Sequence, residues 1–168
     1  MANNAAPPLA RANAYIGMPD LHDYTIQADA CGDFVNNYLP DMGVVANRYQ
    51  LQLNGNKQEL RLLSWDALPR IDKTIEYKWQ PNVWYRFKLT VRARGDKARV
   101  LGKVWPRDQA EPKDWTVTLD DPRPNKEGSP ALYAYVFGIL GDKPGASAYF
   151  DNVSVVPNAA AGPASGGR

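Results

Sequence analysis

Acidic side chains and one histidine are the residues of this chain that could do chemistry, and their spacing argues against catalysis. A sandwich-type glucanase needs two carboxylates alternating on one strand, so that acid and nucleophile face one sugar ring about 5 Å apart. No Glu-x-Asp-x-Glu run exists, and the nearest acidic pairs are Asp120 with Asp121 and Asp29 with Asp33. No local motif sets a serine or cysteine beside His22, so we predict a surface or packing role for it.

A calcium site is the better chemical candidate, because Ca²⁺ takes several oxygen ligands and β-sandwich modules often recruit one from the terminal strand. Asp151 and Asn152 in the segment FDNVSV are the candidate ligands, with Asp20 or Asp23 near the first predicted strand as partners. The alternative is that Asp151 only hydrogen-bonds loop amides at a sheet edge. We prefer that alternative, since no Asp-x-Asp-x-Asp spacing supports a metal, and we predict no other cofactor.

Aromatic side chains offer platforms for sugar rings, and the chain has five tryptophans and nine tyrosines. Trp84 has the outward parity of its predicted strand, and Trp105 ends a strand at a loop. These two are therefore the candidate carbohydrate-binding residues. The alternative for each tryptophan is packing between two sheets.

A row of cations is the sharpest surface feature of the sequence. The alternation of apolar and polar residues over 84–94 predicts a strand with one buried face, and Gly95-Asp96 turns the chain into a second strand over 98–105. Few acids lie between the cations in sequence, so the two strands are predicted to share one basic outer face. That face comprises Arg86, Lys88, Arg92, Arg94, Lys97, Arg99 and Lys103.

Because the net charge of the chain is only +2, a basic face means that positive and negative side chains are distributed to different faces. Such a face suits an acidic protein, or anionic lipid head groups at about 1 kcal/mol per Lys or Arg near the surface. The alternative is a solvated face that discourages edge-to-edge pairing. The small net charge argues against nucleic acid as a partner.

The remaining segments predict an all-β chain. Asn54-Gly55 marks a hairpin between strands predicted over 43–53 and 59–65, and no window shows a helical period. Further strands are predicted over 24–30, 114–121, 131–140 and 147–156. Roughly nine to eleven strands of this spacing indicate an antiparallel β-sandwich.

One domain with two tails accounts for the 168 residues. The domain boundaries are predicted at an extended arm over 1–19, a sandwich over 20–156 and a low-complexity tail over 157–168. Tails of this composition cannot order themselves by burying their own apolar surface, so an ordered tail would need a partner. The single cysteine, Cys31, excludes an internal disulfide and is predicted to be a small buried hydrophobe.

Several phrases together resemble a known family: MPDLHDYTIQAD, GVVANRYQLQL, KTIEYKWQPNVWYRFKL, GKVWPR, EGSPALYAY and FDNVSV. They are similar to the concanavalin-A-like or laminin-G-like jelly-roll domain found at the C-terminus of bacterial proteins with a pyrroloquinoline-quinone-type β-propeller. The resemblance covers roughly residues 18–156. It implies a jelly-roll sandwich, an extracytoplasmic setting and a non-catalytic accessory role.

The sequence therefore leads to one main hypothesis and two alternatives. The main hypothesis is a non-enzymatic, membrane-extrinsic subunit that docks through its tails and basic face onto protein subunits of a larger bacterial membrane complex. By analogy with the propeller proteins, that complex is a redox or electron-transfer assembly at the periplasmic face, with a cytoplasmic location left open. The first alternative is a carbohydrate-binding module, and the second is a glycoside-hydrolase-like enzyme.

Overall fold

The computed structural model describes residues 10–64 and 69–159, which form two antiparallel sheets stacked face to face. No helix of sufficient length and apolarity to span a bilayer occurs in that part of the chain. The strands are β1 Arg11–Tyr15, β2 Tyr24–Gly32, β3 Asp41–Ala46, β4 Tyr49–Asn54, β5 Glu59–Ser64, β6 Asp72–Glu76, β7 Trp84–Arg94, β8 Lys97–Pro106, β9 Val117–Asp121, β10 Ala131–Tyr135 and β11 Ala148–Pro157.

The strand order confirms the predicted jelly-roll β-sandwich. One sheet has six strands in the order β1-β10-β3-β4-β5-β6, and the other has five in the order β11-β2-β7-β8-β9. Consecutive strands lie in different sheets at several points, as when β2 leads to β3 and β10 leads to β11. Each sheet therefore has one face against the other sheet and one outer face.

The core lies between the sheets, where the period-2 alternation of each strand directs its apolar side chains. Phe87, Leu89 and Val91 of β7 are fully buried, and Leu51 and Leu53 of β4 approach from the other sheet. Each such side chain contributes roughly 1.5–3 kcal/mol relative to an exposed position. Because these side chains fix which parity of each strand faces inward, they also fix which residues reach the two outer faces.

Two predicted strands differ from the observed ones. Residues 43–53, predicted as one strand, form the hairpin of β3 and β4, because Asn47 and Arg48 adopt left-handed backbone angles with φ of 46° and 62°. The strand predicted over 131–140 ends at Tyr135, and the chain beyond it forms a loop in which Gly138 has a φ of 78°.

The segments next to the termini take part in the sandwich. Strand β1 lies within the predicted N-terminal arm and pairs with β10 at the edge of the six-stranded sheet. None of its five residues is buried, so its position depends on backbone pairing rather than on a buried face. Strand β11 ends at Pro157, and the Asn158 amide donates to the Val91 carbonyl oxygen at 2.7 Å. Residues 1–9 and 160–168 of the predicted tails lie outside the described part of the chain.

Candidate functional site

The outer face of the six-stranded sheet carries a groove with a volume of about 590 Å³. Its floor and walls come from outward-facing positions of β1, β10, β3, β4 and β5, and from the loop after β4. The lining residues are Arg11, Asn13, Asp41, Gln50, Gln52, Asn54, Asn56, Lys57, Arg61, Leu63, Pro69, Tyr133, Tyr135 and Phe137. Most of these side chains are polar, and three are aromatic.

A glycine lies between two of the lining residues. Gly43 of β3 is paired with Tyr133 on one side and with Gln52 on the other. A Cβ atom at this position would lie 2.1 Å from the Leu51 carbonyl oxygen, so the two strands come too close for any side chain. The gap at Gly43 leaves a depression between the Tyr133 and Gln52 side chains.

A line of amide side chains runs along β4 and forms the floor on one side of this depression. The Gln50 amide donates to Gln52, and the Gln52 amide donates to Asn54. The Asn54 amide donates in turn to the Glu59 carboxylate at 3.4 Å. Gln50, Gln52 and Asn54 are only 4%, 4% and 7% exposed, so these polar groups are held at the bottom of the groove and ordered by one another.

Aromatic side chains form the opposite wall. The Tyr133 ring is buried, and burial raises the pKa of its phenol. The Tyr135 ring contacts both the Arg11 guanidinium, 4.9 Å from its ring centre, and the Phe137 ring, with centroids 4.4 Å apart. The register explains this contact, since Arg11 of β1 is directly paired with Tyr135 of β10. We call Arg11, Tyr135 and Phe137 the aromatic wall.

One carboxyl group lies at the end of the floor. Asp41 begins β3, and its Oδ1 accepts a hydrogen bond from the Gly55 N–H at 2.8 Å. Burial raises the pKa of Asp41 to about 6, although the Gly55 N–H and the charges of Lys57, Arg11 and Arg61 act to lower it. At the other rim, the Arg61 guanidinium donates two hydrogen bonds to the Asp72 carboxylate, from Nε to Oδ1 at 2.8 Å and from Nη2 to Oδ2. These hydrogen bonds lower the pKa of Asp72.

The predicted basic face lies on the outer side of the five-stranded sheet, as its parity indicated. Lys88 and Lys103 both contact the Glu111 carboxylate at 2.9 Å. Lys103 also donates to the Pro112 carbonyl oxygen at 2.7 Å, and it lies 4.6 Å from the Trp115 ring centre. These contacts leave only 6% of the Lys103 side chain exposed. The segment after β8 therefore folds back over the strands and covers part of this face.

A second carboxylate neutralises the same face from β2. Asp29 is fully buried and receives two hydrogen bonds from Arg86, from Nε to Oδ1 at 2.6 Å and from Nη2 to Oδ2 at 2.9 Å. Burial acts to raise the pKa of Asp29, but the hydrogen bonds from Arg86 and Asn152 and the charges of Arg86 and Arg107 hold it below its usual value. The expectation that few acids lie among these cations is therefore wrong.

The exposed part of the basic face lies toward the β7–β8 hairpin. Arg99 lies 3.9 Å from Asp120 and remains largely exposed. Arg92, Arg94 and Lys97 are exposed at the end of the β7–β8 hairpin. Whether these cations bind a partner stays a prediction.

The two tryptophans predicted to bind sugar do not form open platforms. Trp105 is paired with Arg86 on the outer face, but only 5% of it is exposed. Trp84 is half-buried, and the Arg107 guanidinium lies 4.6 Å from its ring centre. Trp84 lies on the outward side, as its parity indicated, and Trp105 lies near the end of β8, but the chain after β8 covers this part of the sheet.

The predicted calcium ligands do not converge. The Asn152 amide donates to Asp29 at 2.8 Å, and Asp151 lies 3.7 Å from Arg107, so existing contacts satisfy both side chains. Asp20 precedes the start of β2, whereas Asp151 is paired with Asp29 far along that strand. No group of three His, Cys, Asp or Glu residues able to hold a metal ion occurs within residues 10–64 and 69–159.

The candidate acidic pairs are also separated. Asp121 is buried and accepts a hydrogen bond from the Tyr49 hydroxyl at 2.6 Å, while its neighbour Asp120 is exposed. Asp29 is held by Arg86, and Asp33 accepts from the Ser147 N–H at 2.6 Å. His22 is exposed and lies 3.8 Å from Asp23. Each carboxylate therefore has a partner of its own instead of sharing a cleft.

The groove residues were not among the predicted sites, although the sequence contains one signal for them. Gln50, Gln52 and Asn54 are three successive amides on the outward parity of one strand. An outward face needs only solvation, and lysine, glutamate or threonine would serve that purpose equally well. Three aligned amides, each both donor and acceptor, suggest a surface that binds a polar neutral ligand.

Solved structures with the same fold include two whose similarity spans most of this chain. A carbohydrate-binding module, CBM66 from Bacillus subtilis, has 12% sequence identity and a TM-score of 0.55 over 86% of this chain and 76% of that one. The galectin LEC-6 of Caenorhabditis elegans has 8% identity and a TM-score of 0.50 over 92% of this chain and 94% of that one. No protein-family model matches the chain, and no curated protein sequence is significantly similar to it.

At these identities the similarity defines the fold, a jelly-roll β-sandwich with a six-stranded and a five-stranded sheet. It agrees with the fold that the sequence resemblance implied. The comparisons give no support for the expected association with a β-propeller.

Proposed function

We propose that this chain is a carbohydrate-binding protein and that its ligand occupies the groove on the six-stranded sheet. The observation that carries the proposal is the line of buried amides, Gln50, Gln52 and Asn54, at the bottom of a groove with an aromatic wall. A sugar hydroxyl both donates and accepts hydrogen bonds, and a side-chain amide offers both functions in a fixed plane. The groove therefore matches the chemistry of a polyhydroxylated ring.

Each amide in the line retains hydrogen-bonding capacity after its contacts with its neighbours. An amide has two N–H donors and a carbonyl oxygen with two lone pairs, and the chain along β4 uses only part of these. Polar groups held in a groove lose much of their access to water, so a ligand that completes their hydrogen bonds gains affinity. The aromatic wall adds apolar contact for the C–H face of a sugar ring.

The similarity in fold agrees with this proposal at a coarser level. One of the two structures is described as a carbohydrate-binding module and the other as a galectin. Neither description is that of an enzyme, which is compatible with the prediction that this chain is not catalytic. The proposal itself rests on the groove, because the two identities are too low to transfer a ligand.

Two half-buried aromatic residues on opposite sheets provide the test. Tyr135 lies in the groove, and Trp84 lies on the outer face of the other sheet. A glycan array identifies a binding sugar, and isothermal titration calorimetry then measures its affinity for Tyr135→Ala and Trp84→Ala. We expect at least a tenfold loss for Tyr135→Ala and no loss for Trp84→Ala, with thermal unfolding confirming that both variants fold.

Two results would contradict the proposal. If the wild-type chain binds no glycan on the array, the groove is not a sugar site. If Trp84→Ala loses affinity while Tyr135→Ala retains it, the sugar binds on the five-stranded sheet, as the sequence pattern first suggested.

Docking onto a larger bacterial membrane complex is a second candidate, supported by the exposed cations Arg92, Arg94 and Lys97. Three unshielded cations at one hairpin end favour an anionic surface by roughly 1 kcal/mol each. The chain should then co-sediment with phosphatidylglycerol vesicles at low salt, and alanine at all three positions should abolish this binding. Binding that is unchanged in the triple variant would remove the hairpin from consideration. A periplasmic location is part of this second candidate and stays a prediction.

A further inference from the structure

The aromatic wall continues beyond the edge of the sheet. Past the end of β10, the Phe137 ring stacks on the Tyr38 ring with centroids 6.4 Å apart and an interplanar angle of 21°. Tyr38 is 42% exposed, so much of its ring is accessible from outside. Tyr135, Phe137 and Tyr38 therefore form a continuous row of aromatic rings, with the centroids of Tyr135 and Phe137 4.4 Å apart, from the groove to a loop outside the sheet.

The loop that carries Tyr38 is tightly fixed. Val35 and Tyr38 exchange backbone hydrogen bonds at 3.1 and 3.0 Å, which closes a short turn. The Asn36 amide inside this turn donates to the Gly138 carbonyl at 2.7 Å and to the Pro144 carbonyl at 3.3 Å. These bonds join the Tyr38 turn to the loop after β10.

Close packing fixes the Tyr38 ring as well. A Cβ atom at Gly138 would lie 2.9 Å from a carbon of the ring, so only glycine allows this approach. The φ of 78° at Gly138 also favours glycine. A ring held in place before a ligand arrives loses little side-chain entropy on binding, which favours a role in recognition.

The position of this ring relative to the amide line suggests how a ligand lies. From Gln50 to Asn54 the amide line covers roughly 14 Å at 3.4 Å per residue. The Leu39 N–H donates to Asn56 Oδ1 at 3.0 Å, which places the Tyr38 loop at the Asn54 end of that line. The amide line, the aromatic wall and the Tyr38 ring are thus arranged one after another along the direction of the strands.

We infer that the groove binds a chain of several linked sugars that lies along β4, with a further sugar unit packed against Phe137 and Tyr38. This inference rests on the proposed function and deepens it, because it names the ligand class as an oligosaccharide rather than a single sugar or a disaccharide. The stacked pair forms an additional subsite at the open end of the groove.

Affinity as a function of ligand length tests the inference. The probes are gluco-, galacto- and fructo-oligosaccharides from disaccharide to hexasaccharide, measured by titration calorimetry with the wild-type chain and with Tyr38→Ala. For the series that binds, we expect wild-type affinity to rise with length. Tyr38→Ala should lose roughly fivefold to tenfold for the hexasaccharide, the effect of one aromatic contact, and nothing for the disaccharide.

Two further variants serve as controls. Tyr38→Phe keeps the ring and should retain the wild-type length dependence. Tyr149→Ala removes a tyrosine of similar exposure, 45%, from the five-stranded sheet and should match the wild type at every length.

The outcomes separate this inference from the proposed function. If no probe binds the wild-type chain, both fail. If Tyr135→Ala abolishes disaccharide binding while Tyr38→Ala matches the wild type at every length, the groove is the site and the additional subsite is wrong. An equal loss for short and long probes in Tyr38→Ala also overturns the subsite, because it indicates an indirect effect on the groove.

Discussion

Replacing Asp41 by asparagine should make the protein more stable at alkaline pH and leave its stability unchanged at acidic pH. Asp41 lies at the end of the groove, where burial raises its pKa from 3.8 to about 6. Its Oδ1 accepts from the Gly55 N–H at 2.8 Å, a bond that an asparagine carbonyl oxygen can also accept. The substitution therefore removes a charge while it keeps the local hydrogen bond.

The magnitude follows from the shift in pKa. One pKa unit corresponds to 1.36 kcal/mol, so a rise from 3.8 to about 6 corresponds to about 3 kcal/mol. The folded state binds the proton more tightly than the unfolded state does. Stability linked to Asp41 is therefore fully present below about pH 4 and is lost as the pH rises through 6. Asparagine, which stays neutral, should exceed the wild type by up to about 3 kcal/mol at pH 8.

Urea unfolding monitored by tryptophan fluorescence at pH 4, 6 and 8 measures this difference. Other carboxylates, such as Asp29 and Asp72, have lowered pKa values and destabilise both proteins alike as the pH falls, so they cancel in the comparison. Asp120→Asn, which removes a carboxylate at an exposed position, is the matched control. A difference for Asp41→Asn that stays constant with pH, or a variant less stable than the wild type at pH 8, would refute the reasoning.

Two further substitutions test the contacts that shape the outer faces. Arg86→Ala leaves the fully buried Asp29 carboxylate without its main partner and should lower the free energy of unfolding, measured in urea, by about 3 kcal/mol. Adding Asp29→Ala should recover part of the lost stability. A double variant that is still less stable than Arg86→Ala would contradict this account. Gly43→Ala forces a Cβ atom against the Leu51 carbonyl oxygen and should lower the free energy of unfolding by about 1–3 kcal/mol. It should also weaken glycan binding. An unchanged free energy of unfolding would show that the two strands separate easily at this point.

The core could be predicted from the sequence because it depends on a short-range rule. Alternation over 84–94 assigned Phe87 and Leu89 to the interior, and both are fully buried. The hairpin turn at Asn47-Arg48 was missed because neither residue is glycine, although both adopt the left-handed conformation. The turn also changes which side chains face the core, because inward residues are even-numbered in β3 and odd-numbered in β4, whereas one continuous strand would keep a single parity.

The outer faces could not be predicted in the same way, because what covers an outer face comes from distant parts of the chain. Glu111 lies 23 residues from Lys88, and Asp29 lies 57 residues from Arg86. Strand parity identifies a row of cations but contains no information about the loop that folds over it. The groove also depends on distant parts of the chain, since Arg11 and Tyr135 come into contact only because β1 pairs with β10.

The two outer faces differ in a way that bears directly on function. On the five-stranded sheet, carboxylates of Asp29 and Glu111 lie 2.6–2.9 Å from the basic groups of Arg86, Lys88 and Lys103. An anionic partner at these three cations would have to displace an existing charge, and among the described residues only the hairpin end of the face is free of such pairs. On the six-stranded sheet the floor of the groove is a line of neutral amides with remaining donors and acceptors, and the charged side chains of Arg11, Asp41, Lys57 and Arg61 lie around it. The proposed ligand would contact these amides without breaking an ion pair among them. This difference supports the groove, rather than the paired cations of the basic face, as the proposed binding surface.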